Sequence, residues 1–251
     1  MSLWTCRDQS YSALAGSLQP LASLLGAAFA RVDEAVEYFE KFLSADVAPT
    51  GRVCAAVTMK GRNLALGCYS LALDGLAQES GAILRPLLES IELLEYLRDI
   101  PGAVDQALTG TLPRAGKRAR LIGSRFQELR DHLSNNASHL EFGPESMGHL
   151  LDLSAGTFRP VQRFRQEVLE QNMATLFTFT GILGREAAIC FRWSAAETAP
   201  ASADSLLNKA LRCLETGEPV VKRITAKRTA QPARLLSISL PQPNFQCALD
   251  C

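Results

Sequence analysis

Two clusters of polar residues have the types and spacing to do chemistry. In AILRPLLESIELLEYL (82–97), Arg85 and Glu89 stand four apart, so one helical face carries both and they can pair. In LRDHLSNNASHL (129–140), a basic helix runs into Ser134, Asn135, Asn136 and His139. Imidazole is the side chain whose ordinary pKa suits proton transfer near neutral pH, and neighbouring Arg and Asn can hold an anion such as a phosphodiester. The plainer alternative is a helix end whose last carbonyls are bonded by Asn and His. For Arg85 and Glu89 the plainer alternative is an ordinary surface ion pair.

Composition limits what such a cluster could serve. The chain has 251 residues, 47% hydrophobic, with 26 basic and 26 acidic side chains. A neutral chain this apolar is expected to be soluble and globular, and contact with a nucleic acid would need a local patch. One patch is the run Arg114, Lys117, Arg118, Arg120, Arg125 and Arg130; another is the tail with Lys222, Arg223, Lys227, Arg228 and Arg234. The tail reads more readily as a solvated segment than as a phosphate-binding arm.

Seven dispersed cysteines without CxxC spacing, and an N-terminus without a secretory pattern, read as reduced thiols in the cytoplasm. Cys247 and Cys251 form the one close pair. The three histidines do not assemble with cysteines at zinc-site spacing, so neither a metal nor a cofactor is expected. No phosphate loop, dinucleotide fingerprint, HExxH or nucleophile elbow occurs.

The elements that must position these residues are helices. Residues 20–44 place apolar side chains from Leu21 to Leu43 at steps of three and four, and Pro49 to Gly51 break the pattern. Helices are expected over 53–73, from Leu76 to about Leu97 with a kink at Pro86, briefly at 102–109, and over 114–134. Met147 to Leu153 reads as one or two helical turns. A long, nearly all-apolar helix from about Arg159 to Arg192 belongs in the middle of a bundle. Residues 174–184 are apolar, but Arg185 and Glu186 end the run, so no membrane span is expected. Thr198 to Ser202 reads as a linker, Ser202 to Thr216 as one more helix, and Leu235 to Leu240 as a short strand. The expectation is an all-α antiparallel bundle of about five to seven helices with a C-terminal extension. It divides into a helical bundle domain at 1–195 and a linker, short helix and basic tail at 196–251.

A run R-x-x-x-E inside a long helix, followed by a helix ending in L-S-x(4)-H, resembles all-helical bacterial domains similar to the HEPN superfamily and its abortive-infection-like members. The matching residues are Arg85, Leu88 and Glu89, then Leu133, Ser134 and His139, within roughly residues 55–190. Active members of that superfamily are metal-independent ribonucleases that join two motifs across a dimer interface. Their motif sets His four to six residues after Arg. Here Arg130 precedes His139 by nine positions.

The resemblance implies His139 as general base on a ribose 2′-hydroxyl or acid on the leaving oxygen. Arg130 or Arg85 would stabilise phosphate charge, and the 114–130 basic face would attract RNA in a salt-sensitive way. Ser134, Asn135, Arg85 and Glu89 are the candidate binding residues. Two functions follow. The one favoured is a non-enzymatic interaction module of defence or toxin–antitoxin type; the alternative is the ribonuclease. A homodimer is expected under either.

Overall fold

The computed structural model describes residues 4–42, 49–134, 151–152, 157–158, 164–195 and 197–229. Among them are nine helices: α1 Thr5–Ala15, α2 Gln19–Phe42, α3 Pro49–Leu73, α4 Ala77–Asp99, α5 Ala103–Leu108, α6 Ala115–Leu121, α7 Gln127–Leu133, α8 Gln166–Ser194 and α9 Pro200–Thr229. The fold is all-α, as the periodicity requires. The one extended element is a two-residue antiparallel pair, β1 Leu151–Asp152 with β2 Thr157–Phe158.

Helix α8 is the axis. From Met173 to Phe191 nearly every side chain is buried, because α2, α3, α4 and α9 all pack against it. It has the length and apolar composition to cross a membrane, but 89% of its most apolar window is buried by the other helices. Phe191 gathers Tyr38, Phe39 and Phe42 of α2, with ring centroids 5.5–5.7 Å away. Edge-to-face and tilted contacts of this kind add to the area that they bury.

Several boundaries differ from those expected. Pro49 does not end a helix but begins one, because a proline at the first helical position gives up an N–H that would have no intrahelical partner. Helix α4, by contrast, passes Pro86 without a break, as expected. The single helix expected over 114–134 is two. Gly123 takes φ 60°, and the N–H of Ser124 bonds to Ala119 O at 2.8 Å, a Schellman ending that stops α6 and lets α7 leave in a new direction. Leu151 and Asp152 are extended rather than helical. The central helix starts at Gln166 because Arg165 is extended, with φ −137° and ψ 109°.

The C-terminal helix is the largest difference. Instead of a short helix over 202–216, α9 runs for 30 residues and contains Pro219. Ala203, Leu206, Ala210, Leu214, Val221 and Ile224 recur every three, four or seven positions, and all are buried in the same core as α2 and α8. The division placed at residue 195 therefore does not separate two cores. The strand expected at 235–240 lies outside the described residues.

Close approach to α8 depends on small residues. A Cβ on Gly217 of α9 would stand 2.0 Å from the Phe177 ring, closer than any contact real atoms make. Gly217→Ala should therefore destabilise the protein by about 1–3 kcal/mol, although alanine favours helix, because overpacking a closed core costs more than the propensity gain. Chemical denaturation of the two proteins measures the difference.

Candidate functional site

The polar residues that the fold brings together lie along α4 and on what packs over it. Glu89, Glu92, Glu95 and Arg98 follow each other at steps of three, a line that winds about 60° per step around the helix, so neighbours in it are in reach of one another while its ends face different packing partners. Helices α6 and α7 cover its middle, and α8 lies beside its C-terminal part.

Arg130 sits on α7 and faces inward. Its side chain is 5% exposed, and its Nη1 donates to both Glu92 carboxylate oxygens, at 3.2 and 3.0 Å. Its Nη2 donates to Gln127 Oε1, and the Ser124 hydroxyl donates to Glu92. Burial raises the Glu92 pKa, while Ser124 and the Arg130 charge pull it back. The guanidinium named as a transition-state cation is thus held inside the bundle, out of a substrate's reach.

A second group lies at the α4–α8 contact. Arg185 and Glu186 are both buried, and the Arg185 Nε donates to Glu186 Oε1 at 3.0 Å. Glu186 also accepts from Arg98 Nη1 at 2.9 Å, and Arg98 grips Asp99 through Nε at 2.7 Å and Nη2 at 3.0 Å. Glu95 stands between the two groups, 15% exposed, with Arg125 Nη2 at 3.5 Å. Burial, then repulsion from Glu186, pushes its carboxyl up to about 7 against the pull of Arg125, Arg98 and Arg185.

The other expected residues are placed as follows. Arg85 Nε donates to Glu89 Oε1 at 3.2 Å on a partly exposed helix face. Such a pair contributes a few tenths of a kcal/mol, about what spacing alone promises. The Ser134 hydroxyl donates to Arg130 O at 2.7 Å, a bond to the preceding turn. Asn135, Asn136 and His139 lie outside the described residues.

The basic run does not form one stripe. Arg114, Lys117 and Arg120 are exposed on α6; Arg118 donates to Pro113 O at 2.7 Å; Arg125 turns to Glu95, and Arg130 to Glu92. Cys6, Cys54, Cys68 and Cys190 are buried free thiols, and burial pushes that of Cys68 up to about 12. Cys247 and Cys251 lie outside the described residues. Among the described residues, no three His, Cys, Asp or Glu side chains are grouped to hold a metal ion.

Glu92, Glu95, Arg98, Arg185 and Glu186 were not singled out from the sequence as site residues. A signal was there. Glu92 falls on the apolar stripe of α4 between Leu88 and Tyr96, and Arg185–Glu186 interrupt the apolar run that begins at Ala174. A charge at a core position needs a partner on another element.

Helix order, a central buried helix and a carboxylate–guanidinium seam define an all-α bundle with an ion-paired interior. Comparison with known protein families, with curated proteins and with solved structures finds no match.

Two outcomes are expected. Arg130→Ala leaves the Glu92 carboxylate buried without its cation and should cost about 3–5 kcal/mol, whereas the double variant Arg130→Met/Glu92→Leu should recover most of that loss. Urea titrations of the three proteins check it. The Glu95 carboxyl binds its proton more tightly folded than unfolded, so its contribution is fully present below about pH 4.5 and is lost as pH rises through about 7. Glu92 acts in the same direction. Glu95→Gln should flatten the fall in stability between pH 5 and 8 and leave the variant about 1–3 kcal/mol more stable than wild type at pH 8, read from denaturation midpoints across that range.

Proposed function

We propose that this chain is a non-enzymatic helical interaction module of defence or toxin–antitoxin type. The observation that carries this reading is the position of Arg130. A ribonuclease of the kind the motif resembles needs a cation free to meet a phosphate. Here that cation is bonded to Glu92 and Gln127 inside the bundle. To reach RNA it would have to leave a buried carboxylate unpaired, at several kcal/mol.

Two further features support the reading. Within the 114–130 run, Arg125 pairs with Glu95 and Arg130 with Glu92, which leaves Arg114, Lys117 and Arg120 at short α6 as a weak electrostatic footprint for an RNA backbone. The Arg85–Glu89 pair is satisfied within its own helix.

A cleavage assay tests the proposal. Purified protein incubated with single-stranded and structured RNA, without added metal, should release no more product than buffer, and His139→Ala should behave identically. Metal-independent cleavage that His139→Ala abolishes would overturn the reading and establish the ribonuclease in its place.

A further inference from the structure

At the far end of α4 from Arg85, a depression of about 320 Å³ opens between the end of that helix and the starts of α3 and α5. Its size lies within the range of sites that hold small organic molecules. Leu97 and Ile100 supply apolar lining, and Trp193, from the last turn of α8, contributes an indole that is 41% exposed. Arg98, Asp99 and Asp105 bring the charges.

These charges are not balanced. All three Arg98 nitrogens are engaged: Nε and Nη2 by Asp99, Nη1 by the buried Glu186. Arg185 also bonds Glu186, so this group by itself balances two guanidiniums against two carboxylates, with three of the five Arg98 N–H donors taken. Asp105 is exposed and adds a further negative charge at the rim. The two helix starts do not reverse this. Helix α3 opens with Pro49, which takes one N–H away from that end, and Asp105 already occupies the first turn of α5. An indole face attracts cations through its quadrupole, most strongly where water is partly excluded.

We propose that this depression binds a small organic cation, an ammonium group carried on an apolar body. The apolar part lies against Leu97, Ile100 and the Trp193 ring, and the ammonium is shared between that ring and Asp105. The inference stands apart from the functional reading above, since none of its residues belongs to the Arg130–Glu92 pair or to the 134–139 segment.

The test uses the full chain carrying Trp4→Phe, so that Trp193 is its only tryptophan. Trp193 emission is followed during titration with benzyltrimethylammonium, and with phenylacetate as the anionic counterpart, at low and matched ionic strength. The expected result is a saturable change with the cation and none with the anion. Asp105→Asn should weaken the affinity by about three- to fivefold, the size of effect a partly exposed charge contributes. The same signal should be present in the wild-type chain and absent from Trp193→Phe, which gives a second route to the answer. No saturable change, an equal response to both probes, or an affinity that Asp105→Asn leaves unmoved would overturn the proposal.

Discussion

Arg185 and Glu186 lie side by side at the middle of the most buried helix in the chain, and much of the interior is arranged around the need to satisfy them. Each would cost several kcal/mol if held unpaired away from water. Glu186 is met by Arg98 from α4 and by its neighbour Arg185, and Arg98 is in turn held by Asp99. Apolar packing is non-directional and would tolerate a sliding of α4 along α8. The hydrogen bonds do not, because a shift of one turn would part Arg98 from Glu186. The pair therefore sets the register of the two helices, and Arg130 with Glu92 does the same for α7 on α4.

The ion pairs can work in this way only because the surrounding packing excludes water. Small residues let the neighbours come close: Gly61 of α3 lies against Leu183, Gly184 against Arg31 and Val32 of α2, and Gly181 against Leu214 of α9. With helices on all sides, the middle of α8 buries charged side chains only at positions 185 and 186. The same enclosure raises the Glu95 carboxyl to near neutrality, since burial and Glu186 outweigh the pull of Arg125, at 3.5 Å, and of Arg98 and Arg185.

This arrangement separates two regions of α4. Its middle is a sealed seam in which carboxylates and guanidinium groups satisfy each other, and its charges hold the fold together rather than face a ligand. Its C-terminal end is open, with an indole, apolar side chains and an uncompensated negative charge around one depression. The guanidinium of Arg130, the one nearest to the candidate motif, cannot both hold Glu92 and meet a phosphate.

The sequence by itself determined the helices and the burial of the central one, since apolar residues at steps of three and four can be satisfied only by helices that stack, and an all-apolar stretch only by enclosure. Pairs within one helix were equally legible: Arg85 and Glu89 meet because four residues make about one turn. The tertiary structure alone decided the rest. Whether 114–134 is one helix or two turned on a glycine free to take positive φ, and the length of α9 on a stripe that continues past Pro219 only because α8 is there to receive it. That Arg130 points to Glu92, 38 residues earlier, and not to solvent is a property of how α7 docks on α4. A side chain's partner across that distance is chosen by the packing of whole helices, which no local spacing encodes.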